Sequence, residues 1–273
     1  MDEHQHLPDV NRLSVLVAVI LLAYALMPFV NLPERGTSLQ LPGLFIVIRL
    51  TFPALISVIA AVLAATGSSW LFQNHPHFRD RRARIFWLLP ALTAWAVGTT
   101  LGTLKVGPEW WAVFALGGLL LVMVLLAEYI VLDDNDLRHA PASIGLTAVS
   151  FGLYLILAIA ARAGGLRLYE ILATLVPTMA LLSLRTLFLR LNGRWCVPWA
   201  VGIALFVGQL AVGLHYFPAP PLRYALLLVG PAYAATSLAG SIEEGRPLRN
   251  AWLEPVFMLV AVVALAFIIP GGR

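Results

Sequence analysis

Long apolar stretches cover most of this chain of 273 residues, and their length is the strongest constraint on its fold. Residues 13–30, 44–65 and 110–132 each run for about 18 to 23 residues with almost no charge. A helix needs about 20 apolar residues to cross a hydrocarbon layer about 30 Å thick. The pattern therefore predicts an all-α fold, a polytopic transmembrane helical bundle.

About nine such stretches are present. A segment inside hydrocarbon must satisfy its own backbone hydrogen bonds, which a helix does. Runs such as residues 119–126 lack the alternation of a barrel strand. The stretch 222–240 contains Gly230-Pro231 and predicts either a full span or a broken, re-entrant helix. We expect a single integral membrane domain over residues 1–273, with spans at 13–30, 44–65, 85–104, 110–132, 143–161, 168–188, 195–214, 222–240 and 252–269.

Composition agrees with a membrane protein. Hydrophobic residues make up 60% of the chain and charged residues 12%, whereas a soluble domain carries about 25% charged residues. The net charge of +4 is spread over short loops and forms no basic patch, so nucleic acid is not an expected partner. The single cysteine, Cys196, excludes a disulfide within the chain.

Tryptophan and arginine positions indicate the membrane boundaries and the orientation. Seven of the eight tryptophans lie within about one turn of a predicted helix end, where indole rings prefer to sit. Eleven of the 18 basic residues fall on one side and seven on the other, which places the N-terminus in the cytoplasm and the C-terminus outside. The first stretch resembles a signal-peptide core, but acidic residues outnumber Arg12 before it. We therefore expect a retained first span in the inner (cytoplasmic) membrane.

Five charged residues lie within or at the edge of predicted spans, where charge is costly and usually has a partner. Arg49 and Glu170 fall at similar depth near the outer face, which predicts an ion pair between them. Near the inner face, Arg185 is expected to face Glu128 or Glu254. The alternative is that each side chain extends to the nearest headgroups.

An acidic segment follows the fourth predicted span. Asp133, Asp134 and Asp136 offer hard oxygen ligands that can hold Mg²⁺ and, through it, a diphosphate, as in intramembrane prenyltransferases. Those enzymes use two such motifs on different helices, and we find only one here. The alternative, a solvated turn that ends the helix, is favoured. We predict no catalytic residue and no cofactor, and these aspartates are only candidate metal ligands.

Small residues suggest where helices approach closely. Gly98 and Gly102 form a GxxxG motif in the third predicted span, and such ridges let two helices pack tightly. The contact is either within the fold or with another membrane subunit. Membrane lipids are the other expected partners.

The segment Ala65-Thr66-Gly67-Ser68-Ser69-Trp70-Leu71-Phe72-Gln73-Asn74-His75-Pro76 resembles one found in an uncharacterised family of bacterial multi-span membrane proteins. The resemblance covers this segment and the general pattern of spans. It implies a bacterial membrane location, and it supplies no activity or site residue.

Three classes of function stay open. Few charges within spans and short loops favour a non-enzymatic membrane subunit or scaffold. A transporter or channel for a small or apolar cargo predicts a water-lined cavity with Gln209, Tyr154 or Tyr233 on its wall. An enzyme that modifies lipids or isoprenoids predicts an apolar groove that ends at the Asp133 cluster, with Arg138 or Arg185 pointing in. Function must be argued from a site, and no site is evident from sequence alone.

Overall fold

The computed structural model describes residues 8–30, 35–41, 44–73, 85–133 and 136–269. For residues 35–39, 41, 44–50, 248 and 250 only the backbone is described. In these ranges the fold is helical with one two-stranded hairpin, which confirms the predicted helical class. The elements are α1 (Val10–Ala25), β1 (Arg35–Leu41), β2 (Leu44–Leu50), α2 (Phe52–Phe72), α3 (Leu88–Thr103), α4 (Pro108–Val131), α5 (His139–Ala163), α6 (Leu168–Arg190), α7 (Val197–His215), α8 (Pro221–Glu243), α9 (Leu248–Ala251) and α10 (Leu253–Ile268).

Among the described residues, six helices, α2 and α4 to α8, are long and apolar enough to cross a membrane. α1 and α10 are also apolar, but each has 16 residues, and α3 has the same length. A helix of 16 residues is about 24 Å long, slightly less than the hydrocarbon thickness. The structure therefore gives six clear candidate spans where the sequence predicts about nine.

Neighbouring long helices run in opposite directions. Connections of four to six residues join α3 to α4, α5 to α6, α6 to α7 and α7 to α8, and such short loops require antiparallel neighbours. Trp199 at the start of α7 donates to Glu243 at the end of α8 at 2.8 Å. At the opposite end of the bundle, Arg223 of α8 donates to the carbonyl oxygen of Ala266 in α10 at 3.0 Å.

The predicted span 44–65 is wrong at its start. Residues 44–50 form strand β2, which pairs antiparallel with β1, with Gly36 opposite Arg49. The helix begins only after Thr51, whose hydroxyl accepts the N–H of Ala54 at 3.4 Å. Pro53 lies in the first turn, where its missing N–H costs nothing.

The same helix continues to Phe72, seven residues beyond the predicted end. Polar side chains in this last part bond to the helix backbone rather than to solvent. Thr66 donates to the carbonyl oxygen of Val62 at 2.8 Å, and Ser68 donates to that of Ala65 at the same distance. Hydroxyl groups satisfied in this way do not end a helix.

The eighth predicted span is one unbroken helix. α8 runs from Pro221 to Glu243 through Pro231, and α6 runs through Pro177 in the same way. The alternative of a broken or re-entrant segment at 222–240 is therefore wrong. Neighbouring helices and local adjustments compensate for a proline inside an apolar helix.

The glycine ridge of α3 lies against α2. A Cβ atom on Gly98 would lie 2.6 Å from the hydroxyl oxygen of Ser57, and one on Gly102 would lie 2.8 Å from Cβ of Pro53. The GxxxG motif is thus used for a close helix contact within the fold. Tyr24 adds a link from α1 to α3, since its hydroxyl donates to the carbonyl oxygen of Ala94 at 2.6 Å.

Tryptophans mark the ends of the bundle. Trp110, near the start of α4, is an exception, because it is buried and stacks on Phe114 with 5.5 Å between ring centroids. The other six near predicted helix ends are exposed, as expected of rings at a membrane boundary. They are Trp70, Trp87, Trp111, Trp195, Trp199 and Trp252.

Candidate functional site

A buried ion pair joins α4 to α6. Arg185 of α6 donates from Nε to Oε1 of Glu128 on α4 at 3.2 Å, and its Nη2 bonds the other carboxylate oxygen. Neither side chain is exposed. The guanidinium also lies over the rings of Phe86 and Phe188, 4.7 and 5.8 Å from their centroids. Of the two partners considered for Arg185, Glu128 is therefore the one that it bonds.

The charges of Arg185 and Glu128 pair with each other. A two-point contact between guanidinium and carboxylate is the geometry that best offsets the cost of removing both from water. Arg185 Nη1 has no hydrogen-bond partner in the part of the chain that the structure describes. The pair fixes α4 against α6, and we assign it a structural role.

Another arginine, Arg190, links the last turn of α6 to α8. Its Nε donates to Oε1 of Glu244 at 2.6 Å, and its Nη2 donates to Oε2 at 3.3 Å. Nη1 donates to the carbonyl oxygen and to Oγ of Ser237 at 3.1 and 3.3 Å, and Nη2 also donates to Oγ of Ser241 at 3.0 Å. All three nitrogens of Arg190 thus donate to α8 or to the residue that caps it.

Glu244 caps α8 and stays ionised. The hydrogen bond from Arg190 lowers the pKa of Glu244 below its usual range, and the charges of Arg190 and Arg246 add to this against the opposing effect of partial burial. Arg246 Nε lies 2.7 Å from the second carboxylate oxygen. The cluster of Arg190, Glu244 and Arg246 therefore holds the ends of α6 and α8 together at neutral pH.

A cavity of about 560 Å³ lies between α5, α6, α8 and α10. Its volume is in the range of small-molecule binding sites, about 300 to 1,000 Å³. Ile144 on α5 and Met258 on α10 are 71% and 36% exposed, so the cavity opens at the outer surface of the bundle between these helices. Its apolar wall is formed by Ile144, Ala148, Phe151, Leu189, Val229, Met258 and Val262.

Polar groups gather at one end of this cavity. They come from the start of α5, the end of α6 and the second half of α8, which meet at the end of the bundle that holds Arg190 and Glu244. The cavity is therefore amphipathic, with polar groups towards these helix ends and an apolar inner wall of Phe151, Val229 and Val262. The polar wall residues are Ser143, Thr147, Thr186, Arg190, Tyr233, Thr236 and Ser237.

Glu254, the other partner considered for Arg185, lies beside this polar end. Its Oε1 accepts the hydroxyl of Tyr233 at 3.0 Å and that of Ser237 at 3.3 Å. Glu254 is in the first turn of α10, and these bonds tie α10 to α8. The inner charges thus form two separate groups, Arg185 with Glu128 and Arg190 with Glu244, and Glu254 lies next to the second.

The predicted outer pair is only half described. Glu170 is in the first turn of α6, where its carboxylate accepts the backbone N–H of Arg167 at 2.7 Å and closes a capping box. The backbone of Arg49 lies in β2, and its side chain is outside the described residues. The pairing of Arg49 with Glu170 stays a prediction.

The candidate metal ligands are partly described. Asp136 accepts from Arg138 at both carboxylate oxygens, with Nε at 3.2 Å and Nη2 at 3.0 Å, and it also accepts the backbone N–H of Arg138 at 2.8 Å. Asp133 follows Leu132, the C-cap residue of α4, and Asp134 lies outside the described residues. Among the residues that the structure describes, no three His, Cys, Asp or Glu side chains are grouped so as to hold a metal ion. The contacts of Asp136 are those of a turn.

Sequence reasoning named Tyr233 as a cavity-wall residue but missed the other residues around the cavity. The predicted span 168–188 ends two residues before Arg190, so the sequence places this arginine in a connection rather than on a helix. The sequence contains one pattern that points to these residues. Ser237, Ser241 and Glu244 recur at spacings of four and three residues, which places them on one face of a helix, and an arginine at the end of the neighbouring span is a natural partner for that face.

The six long apolar helices of the described residues identify a helical membrane protein. The chain belongs to the family described as protein of unknown function (DUF5656), whose model matches residues 32–269. Neither a curated protein nor a solved structure is significantly similar to the chain.

Proposed function

We propose that this chain is a non-enzymatic multi-pass membrane protein that crosses the bilayer nine times and holds a lipid-like molecule between α5, α6, α8 and α10. The nine crossings are the six long helices together with α1, α3 and α10. Their alternating directions support this count, and a bilayer adapts to a helix a few ångströms too short by local thinning. The excess of arginine on one side supports a cytoplasmic N-terminus and an outer C-terminus. The resemblance of residues 65–76 to a bacterial multi-span family supports a location in the inner membrane of a bacterium.

The cavity is the observation that carries the lipid-binding proposal. Its body is apolar, its mouth is at the bundle surface where lipid tails would lie, and its polar end is at the level of the helix ends. A molecule with an apolar chain and a small polar group matches this distribution. Burial of apolar area provides the main binding energy in such a site.

The cavity favours binding over the two alternatives. Of the three residues expected on a transport pathway, Tyr233 is on the wall, whereas Tyr154 is buried in the core and Gln209 is exposed on α7. For an enzyme of the prenyltransferase type, the groove would end at Asp133. Here the polar end is formed by Arg190 and hydroxyl groups, and a subunit or scaffold that carries a bound lipid fits best.

A pair of matched substitutions tests the proposal. Ala148 is exposed on the cavity wall, so Ala148→Phe places a ring in the cavity without displacing a packed side chain. Ala115 is exposed on α4, away from the cavity, and Ala115→Phe controls for the added bulk. We expect native mass spectrometry of the detergent-purified full chain to show a bound apolar molecule in wild type and Ala115→Phe, and to show it lost in Ala148→Phe.

Two outcomes would contradict the proposal. The first is wild-type protein that carries no apolar molecule at this site even after incubation with a membrane lipid extract. The second is equal retention in Ala148→Phe and wild type, since a molecule bound elsewhere on the bundle would not respond to a ring in this cavity.

A further inference from the structure

The hydrogen-bonding state of the cavity wall restricts what the cavity binds. On α5, Ser143 donates to the carbonyl oxygen of Ala140 at 2.9 Å, and Thr147 donates to that of Ser143 at 3.0 Å. On α6, Thr186 donates to the carbonyl oxygen of Leu182 at 2.8 Å. Each of these hydroxyl protons already has an acceptor inside its own helix.

The hydroxyl protons of α8 also have acceptors, within α8 or on α10. Thr236 donates to the carbonyl oxygen of Ala232 at 2.8 Å, and Tyr233 and Ser237 both donate to Glu254. A hydroxyl that donates its proton still has a lone pair to accept with. The hydroxyl groups of the wall therefore present acceptors to a bound molecule.

The guanidinium of Arg190, the charged group on the wall, also has hydrogen-bond acceptors within the protein. Arg190 donates from all three nitrogens, to Glu244 and to two serines, so an anionic headgroup would have to break these bonds to reach it. The carboxylate of Glu254 beside the polar end adds negative charge. Both features disfavour a phosphate or carboxylate in the cavity, because a like charge near a site raises the cost of an anion there.

We propose that the cavity binds an uncharged long-chain molecule that carries a hydroxyl group, and that this hydroxyl donates its proton to the acceptor oxygen of either Thr147 or Thr186. The chain of the bound molecule lies along Phe151, Val229 and Val262. This inference rests on the proposed function, since it names the class of molecule that the same cavity holds. An alcohol is matched because it supplies the donor that the wall lacks and brings no charge into an apolar site.

Four probes that share the same alkyl chain and differ in their head group test this inference. Each has an 18-carbon chain with a photoactivatable diazirine at its middle, and the head is an alcohol, a methyl ether, a carboxylate or a primary amine. The full-length protein in phosphatidylcholine nanodiscs is titrated with each probe and irradiated. Labelling of peptides from α5, α8 and α10 is then measured by mass spectrometry. We expect the alcohol to label with an apparent affinity about fivefold higher than the methyl ether, which cannot donate.

Paired threonine substitutions locate the acceptors. In Thr147→Val with Thr186→Val, the affinity for the alcohol should fall to that for the ether, and ether binding should be unchanged. Thr178→Val is the matched control, because Thr178 is a buried threonine of α6 with the same backbone bond and is not on the wall. The control should keep the full preference for the alcohol.

The outcomes separate this inference from the proposed function. Equal affinity for alcohol and ether in wild type, or tighter binding of the carboxylate or the amine, overturns the hydroxyl inference while the cavity still binds a chain. An alcohol preference that survives the double substitution also overturns it. If Ala148→Phe leaves the labelling by every probe unchanged, the proposed function itself fails.

Discussion

Arg190 passes directly over Gly240 on its way to Glu244. A Cβ atom on Gly240 would lie 2.7 Å from Cδ, 2.9 Å from Nε and 3.0 Å from Cζ of this arginine. No side chain other than hydrogen fits at that point of α8 while the arginine keeps its position. The glycine therefore provides the room in which the ends of α6 and α8 are joined.

Gly240→Ala should destabilise the protein although alanine is the better helix former. The methyl group displaces a guanidinium that holds four hydrogen-bonding groups, and we expect a net loss of about 1 to 2 kcal/mol in the free energy of unfolding. Gly152→Ala is the control, since its Cβ meets nothing within 4 Å and it should be neutral or stabilising. Thermal unfolding in one detergent measures both. If the mechanism is correct, Gly240→Ala costs little in an Arg190→Ala background.

The buried pair gives a prediction about single and double substitutions. Arg185→Met leaves the carboxylate of Glu128 buried without its partner, which typically costs about 3 to 5 kcal/mol. Replacing both, as Arg185→Met with Glu128→Leu, should recover most of that loss because no charge is left unpaired. Arg194→Gln is the surface control, since its side chain is 57% exposed, and it should cost less than about 1 kcal/mol. A double variant no more stable than Arg185→Met would contradict this account.

The sequence predicts the helices well because each one is apolar over most of its length. It fails at residues 44–50, where an apolar run leads directly into α2 and hydropathy alone does not separate a strand from a helix. Thr51 and Pro53 were the available boundary signals. An N-cap residue followed by a proline in the first turn marks where a helix begins.

The site is less predictable than the fold, for a physical reason. Helices that are apolar on every side carry no pattern that fixes their rotation, so the sequence does not show whether Arg185 faces Glu128 or Glu254. The cavity depends on the same rotations, together with the gap that α5 and α10 leave in front of α8. Those are properties of packing. In the sequence, only Tyr233 and the polar face formed by Ser237, Ser241 and Glu244 point to this site.

Glu244 gives the pH dependence of the link between α6 and α8. Its pKa is lower in the folded protein than in the unfolded chain, where glutamate has a pKa of about 4.3. Its stabilising contribution is therefore complete above that value and is lost as the pH falls through the lower, native pKa. We expect the Tm difference between wild type and Glu244→Gln to be constant from pH 7 to about 5 and to shrink below about 4. An equal difference at pH 3 and pH 7 would contradict this role.

Orientation can be tested with single cysteines at exposed connections. In a Cys196→Ala background, cysteine replaces Val106, Leu137 or Tyr216, which are 59%, 97% and 77% exposed and lie in three different connections. With nine crossings and a cytoplasmic N-terminus, a membrane-impermeant maleimide should label positions 106 and 216 in intact cells. It should label position 137 only after lysis, because that connection faces the cytoplasm. Labelling of 137 alone in intact cells would invert the topology, and labelling of 106 and 137 together would show that α4 does not cross.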